Sequence, residues 1–412
     1  MSSRTSTFQQ LKSILNLSLK STPIPPESTR KMRDSYIEII LPFSTNENLR
    51  EEYVNVYGGI RFAKIIEDID ALAGSIAYKH ALEPLPQSPG NDDAAKHETL
   101  LPITIVTASV DRIDLQQRLD IHEDLRLSGS SMDVLIVIDK KVNSTTWSPA
   151  ASALFTMVAR HPLLHVAVPV PKLSLDTPEE IELFSASSKR RARRKLISVP
   201  TEDGDFSSSE LKELHGIMTR VSEQEGFSPS SQYCVSSLRL CHPQERNIHN
   251  FIFGGWLIKE AFELAFCLAS VYCRDRPLFI ALDESSFLIP VPLGSLLSID
   301  AAVVYAEKSQ VRIQASISLV DTSLGINGPS SKRLTNVFGF TFEKRAGAPV
   351  SELQPSSYAS GLQWLRARRK HRSAAEELAL YGTRWVTLLH AIMTPSSIPN
   401  ACNIPTPITP PS

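Results

Sequence analysis

The sequence predicts an α+β fold in two tandem units, each an antiparallel sheet curved around one central helix. Three observations lead there. A glycine pair ahead of a long apolar helical stretch occurs twice: Gly58-Gly59 before about Arg61 to Ala81, and Gly254-Gly255 opening a stretch that runs to about Tyr272. Several strand-like runs follow each helix, which suits a sheet wrapped around it. The halves also line up weakly. Asn55-Val-Tyr57-Gly58-Gly59-Ile60 sits against Asn247-Ile-His249-Asn250-Phe251-Ile252, Val110-Asp111 against Leu282-Asp283, and LFTMVAR against VFGFTFE. Two copies of one fold explain this.

The elements follow in order. Residues 1–30 read as a leader. The first 26 hold Arg4, Lys12 and Lys20, many Ser and Thr and no acid before the Pro-rich STPIPPES, which suits a mitochondrial presequence or an unstructured polar leader. The first unit, 31–170, begins with the strand-like SYIEIILP. Its helix carries Ile65, Ile66, Ile69, Leu72, Ala73 and Ile76 on an approximate helical stripe, and ITIVTASV, DLRL, MDVLIVID and ALFTMVAR follow as strands. A connector, 171–230, contains the basic run Lys189 to Lys195, read as a solvated helix face or linker. The second unit, 231–345, repeats the plan with FIALDESSFLIPVPL, SLLSIDAAVVYAE, VRIQASISLVD and NVFGFTFEK. The segment 346–412 is expected to be partly helical, with irregular interruptions, and then Pro-rich and disordered. The copies differ in one respect. Leu125 to Met132 is about half as long as its counterpart Leu296 to Val311, so about one strand's worth of chain is expected to be missing from the first sheet.

Composition bounds the function. The chain has 412 residues, 42% hydrophobic and 21% charged, with a formal net charge of −1, enough to bury two cores and unlike a basic nucleic-acid binder. Five cysteines form no CxxC pair, and Cys267 and Cys273 read as core thiols of a reduced compartment. No apolar run is long enough to span a bilayer. There is no GxSxG elbow, HExxH, P-loop or Rossmann fingerprint, and no metal site or cofactor is expected.

The stretch HPQERNIHNFIFGGWLIKEAFELA resembles the second repeat of the double-hotdog acyl-CoA thioesterases, in their mitochondrial thioesterase 9 branch, and YVNVYGGIRFAKIIEDIDALAGSIAYKH resembles the first. The resemblance covers most of Ser35 to Lys344. It implies two tandem hotdog domains, hydrolysis of acyl-CoA to fatty acid and CoA at their junction, a mitochondrial rather than cytoplasmic location, and a homo-oligomer, with a trimer as the implied expectation. It also implies backbone amides at a helix end as donors to the thioester oxygen, with an Asn, Asp or Glu nearby. Asn247, His249 and Asn250 lie in the matched loop. An amide could orient water and an imidazole could act as base, or each could cap the helix or pin the loop. Asp70 and Glu263 are acids inside otherwise apolar helices, where a carboxylate needs a partner. Either marks the site or a salt bridge, with Arg61 and Arg246 as candidate partners. Glu67 and Asp68 are expected at the solvent or the helix start. Asn55, Gly58, Gly59, Arg61, Gly254 and Gly255 are candidate substrate-binding positions. One departure stands out: where many hotdog thioesterases carry an acid two residues before the Phe-Gly-Gly block, this chain has Phe251, and Gly59 in the first half. That leaves two alternatives open, a hotdog dehydratase or hydratase and a non-catalytic acyl-CoA binder.

Overall fold

Ten antiparallel strands hydrogen-bond into one continuous sheet whose two halves repeat a single topology. The computed structural model describes residues 21–84, 103–131, 134–164, 166–197, 206–219, 227–324 and 331–392. The first half contains β1 (Ile37–Leu41), α1 (Glu47–Tyr53), α2 (Phe62–Ala81), β2 (Thr104–Leu115), β3 (Leu125–Ser130), β4 (Leu135–Lys141) and β5 (Trp147–Arg160). Helices α3 (Pro178–Ile197) and α4 (Ser208–Met218) connect it to the second half. That half contains β6 (Cys234–Leu240), α5 (Gly254–Cys273), β7 (Leu278–Phe287), β8 (Leu296–Glu307), β9 (Gln310–Val320) and β10 (Lys332–Glu343), and α6 (Tyr358–Ile392) closes the described chain.

Across the sheet the order is β6-β8-β9-β10-β7-β2-β5-β4-β3-β1. Each half contributes its second strand to the β7–β2 seam and runs outward from it through its fifth, fourth, third and first strands. The seam pairs Ala281 with Asp114, Leu282 with Ile113 and Asp283 with Arg112. This is the double-hotdog arrangement that the sequence predicts.

Periodicity explains which faces are buried. On α2, Ile65, Ile66, Ile69, Leu72 and Ile76 are all fully buried against the first half-sheet. On β9, Val311, Ile313, Ala315 and Ile317 alternate inward and are fully buried beneath α5. Arg312 points to the opposite face, where it pairs with Asp283. There α6 lies across the outside of the sheet: Arg112 Nη1 donates to Ala374 O at 3.0 Å, and Trp364 packs on Tyr305.

Several expectations change. The first sheet lacks no strand. Its shortfall is split between β3 and β4, with 6 and 7 residues, against 12 and 11 in β8 and β9. A hairpin can lose length from both arms and keep its hydrogen-bonded register, whereas losing one arm would expose an edge. The leader stops earlier than residue 30, because Ser21–Pro23 pairs with Leu82–Pro84 and Thr29–Lys31 with Lys172–Ser174. Residues 1–20 lie outside the described chain, as does the Pro-rich tail after 392. Helix α6 is one 35-residue helix without interruption. The connector is also helical, and its basic run forms the end of α3. Cys273 is buried but Cys267 is exposed, since it falls on the outer stripe of α5.

Candidate active site

The two loops that lead into the central helices have the same internal wiring. In the first, Asn55 Oδ1 accepts from Tyr57 N at 2.9 Å and Gly59 N at 3.1 Å, and Asn55 N donates to Gly59 O at 2.8 Å. In the second, Asn247 Oδ1 accepts from His249 N at 2.8 Å and Phe251 N at 3.2 Å, and Asn247 N donates to Phe251 O at 2.7 Å. Gly58 (φ 78°) and Asn250 (φ 59°) hold the same left-handed turn, a conformation that Gly and Asn adopt most readily. Each helix that follows has 20 residues. Aligning Asn55 with Asn247 therefore aligns Phe62 with Gly254, Glu67 with Lys259, Asp70 with Phe262 and Tyr78 with Ser270. The strands after them share a bulge, between Thr107 and Ser109 in β2 and between Phe279 and Ala281 in β7. Thr107 is thus the counterpart of Phe279.

Where α2 meets the start of α5, the junction is polar. Gly255 N donates to Asp70 Oδ2 at 2.7 Å, and Thr107 Oγ1 donates to Asp70 Oδ1 at 2.9 Å. Asp70 is 1% exposed. Burial raises its pKa to about 6, against the lowering effect of the Thr107 and Gly255 hydrogen bonds. The glycines make this approach possible. A Cβ on Gly255 would lie 3.1 Å from Asp70 Cβ and 3.1 Å from Glu67 Cα, and one on Gly254 would lie 3.2 Å from Asp70 Oδ2. Gly255 spends its amide on Asp70, while the Gly254 amide has no hydrogen-bond partner among the described residues.

The symmetry-related junction is apolar. Phe262 occupies the Asp70 position, Phe279 the Thr107 position and Phe62 the Gly254 position. Their rings touch, with centroids 4.7 Å apart for Phe62 and Phe279 and 5.2 Å for Phe262 and Phe279. Phe340 and Phe342 close around Phe262.

The sequence-predicted residues divide accordingly. Asp70, Gly254, Gly255 and Asn247 are brought to the polar junction or to the loop entering it. Asn247 Oδ1 pins that loop, and its Nδ2 has no partner among the described residues. In contrast, Asn55 Nδ2 is used on Ile60 O at 3.1 Å. His249 Nε2 is 2.6 Å from Tyr78 Oη, and burial lowers the imidazole pKa to about 4. The ring is neutral at pH 7, and its Nε2 is engaged by the Tyr78 hydroxyl. Asn250 is exposed and serves the turn. Gly58 and Gly59 spend their amides inside the first loop.

Glu263 is not placed beside Asp70. Its carboxylate is half-exposed and pairs with Arg61 Nε at 2.7 Å, a bridge between α5 and α2. Arg246 makes no ion pair among the described residues. Glu67 and Asp68 are buried rather than solvent-facing, because α5 meets Glu67 and Tyr53 of α1 meets Asp68. Glu67 sits between Lys64 at 3.3 Å and Lys259 at 3.1 Å. Asp68 accepts from Tyr53 Oη, its other oxygen is buried without a hydrogen bond, and burial raises its pKa to about 7.

Thr107 and Tyr78 escape the sequence reading. Thr107 lies within an apolar strand, and only the register against Phe279 distinguishes it. Among the described residues no helix is long and apolar enough to cross a membrane, and no group of three or more His, Cys, Asp or Glu could hold a metal.

No family model matches the chain. A mouse protein named acyl-coenzyme A thioesterase 9, mitochondrial, is 31% identical over 380 residues, covering 87% of this chain and 81% of the mouse protein. The human protein of the same name is 32% identical over 372 residues, covering 85% and 79%. Among solved structures, an acyl-CoA hydrolase from Staphylococcus aureus aligns with a TM-score of 0.35 and 22% identity, over 39% of this chain and 99% of its own.

Proposed function

This chain belongs to the acyl-CoA thioesterase family of the mitochondrial thioesterase 9 proteins, and from that membership we propose how its polar junction carries out hydrolysis. It is a mitochondrial acyl-CoA thioesterase that converts acyl-CoA and water into a fatty acid and CoA. The hydratase and non-catalytic alternatives give way to this membership. The acid missing before the Phe-Gly-Gly block has a substitute in Asp70, reaching the same helix entrance from the other half.

In the proposed mechanism Asp70 is the general base. Gly255 N–H and Thr107 Oγ–H each hold one carboxylate oxygen, leaving each a lone pair for a water molecule. Asp70 takes a proton from that water as its oxygen bonds to the thioester carbon. The carbonyl oxygen gains charge at the positive end of α5, where the Gly254 amide donates to it. Asn247 Nδ2, left free by the pinning of its carbonyl, orients the water or the thioester. The C–S bond then breaks, and Asp70 returns its proton to the departing thiolate of CoA. The single observation that supports this reading best is the buried Asp70 carboxylate fixed at the α5 entrance by two donors. Its raised pKa, still below 7, keeps it mostly ionised at neutral pH while making it a stronger base than an exposed carboxylate.

The phenylalanine junction implies one active site per chain. Self-association is the further part of the proposal. Edge strand β6 exposes Leu238 at 44% and Leu240 at 52%, and α5 exposes Val271 at 65%, an apolar margin suited to a second copy. Solution mass by light scattering tests this, and a monomer at micromolar concentration would rule it out. Free-thiol release from a series of acyl-CoAs tests the mechanism. Asp70→Asn should slow release by about 10² to 10⁴ while retaining the fold, and an Asp70→Asn enzyme with wild-type turnover would remove Asp70 from the chemistry.

A further inference from the structure

Besides its ion pair at Glu67 and its ring contacts at Phe62, helix α2 hydrogen-bonds to the loop and helix entrance of the second half through two side chains, and of these Asp70 has been given a role. The second is Tyr78, two turns further along. Tyr78 is 2% exposed. Its Oη accepts from Ile105 N at 2.9 Å, so its own proton is directed elsewhere, and His249 Nε2 lies 2.6 Å away. Tyr78 Oη is buried and His249 Nε2 is the one acceptor near its proton among the described residues, so the hydroxyl is assigned as donor and His249 as acceptor, with the imidazole proton on Nδ1. From His249 the chain continues through the backbone: His249 N donates to Asn247 Oδ1 at 2.8 Å. A continuous path thus runs from Ile105 N–H through Tyr78 Oη–H and His249 to the carbonyl of Asn247.

We propose that Tyr78 is a positioning residue for the hydrolysis, holding the Asn247 loop of the second half at a fixed distance from the Asp70 carboxylate of the first. This rests on the role given above to Asn247. The two junctions supply the supporting comparison. At the aromatic junction the position of His249 is taken by Tyr57, which is 46% exposed and stacks under the Arg276 guanidinium at 4.0 Å. The position of Tyr78 is taken by Ser270, whose hydroxyl donates to Phe266 O within its own helix at 2.8 Å. The cross-half link is therefore present beside the buried carboxylate and absent where phenylalanine replaces it. A bond that only stabilised the loop would be equally useful at both entrances, since both loops have the same internal wiring. The neutral state of His249 suits the link, because a protonated ring could not accept from the phenol.

Asp70 and Tyr78 lie eight positions apart on one rigid helix, on neighbouring stripes facing the same partner. At about 1.5 Å per residue they are roughly 12 Å apart along its axis. With both anchored to the second half, the loop has little freedom to swing about the α5 entrance. With the Tyr78 hydroxyl removed, the Gly255 contact, the Glu67–Lys259 ion pair and the packing of Ile248 would remain, but no polar bond would fix His249, and the free Nδ2 of Asn247 would sample more directions. Reaction geometry tolerates little of that, since a displacement of about 1 Å can cost about a hundredfold in rate.

The test is a double-mutant cycle on the full chain, read as kcat and KM for free-thiol release from one acyl-CoA. Tyr78→Phe should lower kcat about tenfold while KM stays within about twofold. Asn247→Ala should lower kcat by at least as much, and the double variant should match Asn247→Ala alone, because Tyr78 has nothing left to position. His249→Gln, which keeps an acceptor for the phenol, should retain most of the activity, whereas His249→Phe should behave like Tyr78→Phe. Effects that multiply in the double variant, or wild-type kcat in Tyr78→Phe, would overturn the proposal. Wild-type kcat in Asn247→Ala would instead overturn the underlying role of Asn247, a distinguishable outcome. Equal losses in His249→Gln and His249→Phe would also count against the link.

Discussion

Two junctions related by the same pseudo-symmetry have diverged in opposite directions. At one, Asp70, Thr107 and Gly254 form a buried polar group at a helix entrance. At the other, Phe262, Phe279 and Phe62 fill the equivalent positions and pack on Phe340 and Phe342. The backbone is nearly the same in both, down to the bulge after Thr107 and Phe279. Duplication thus gave the chain two copies of one scaffold, and side chains alone decided which would hold a buried charge. The burial of Asp70 is costly and tolerated where two donors meet it. The aromatic junction returns apolar contact area, and five rings there can bury a large surface.

The largest expected effect breaks the polar side. Asp70→Asn keeps the shape and one acceptor oxygen for Gly255 N–H, with the Thr107 hydroxyl turned to accept from the new Nδ2, but it removes the base and should lower kcat by about 10² to 10⁴ in thiol release. The reciprocal change, Phe262→Asp, should create no second active site, because Phe279 and Phe340 offer the carboxylate no donor. An uncompensated buried charge there should cost about 3–5 kcal/mol in denaturant unfolding. A Phe262→Asp chain as stable as wild type would mean that the aromatic junction admits water.

A pH profile sharpens the comparison further. Asp70 works ionised, so kcat/KM should fall as pH drops through about 6 and level off above it, and His249, already neutral, should add no limb in that range. Gly255→Ala should come next, costing about 1–3 kcal/mol, because a methyl group there presses on Glu67 and Asp70 where the helices touch. The smallest effect concerns Asp68. Its folded pKa of about 7 lies above that of an exposed carboxylate, so the protonated form stabilises the fold at low pH and this contribution is lost as pH rises through about 7. Asp68→Asn should therefore gain stability relative to wild type at pH 8 and little at pH 5. Equal shifts in melting temperature at the two pH values would contradict this.

Much of the fold was legible because its signals are local. A glycine pair, a 3.6-period apolar stripe and alternating strands need only neighbours in sequence, and the alignment of Asn55 with Asn247 survives as matching hydrogen bonds. Asp70 was legible as a charged residue in an apolar helix. Glu263 gave the same signal, yet it lies on the outer stripe and pairs with Arg61, since sequence cannot say which stripe the partner helix covers. For that reason Glu67 was expected in solvent and is buried against α5, while Asp68, likewise expected in solvent, is covered by Tyr53 of α1. Thr107 and Tyr78 were missed because their partners are distant in the chain: one is set by a bulge register and the other by a loop from the opposite half. The supposed missing strand came from counting residues where hydrogen-bonded pairing decides.

Glu67 and Lys259 occupy equivalent positions on the two helices and bond directly to each other. A contact between equivalent positions lies on the molecular pseudo-axis, so each residue faces what its own copy would present in a self-paired assembly. Two first halves together would oppose glutamate to glutamate, and two second halves lysine to lysine. The tether between the halves is then not the sole reason they stay matched. Expressed as separate polypeptides, they should seek each other and reject their own kind.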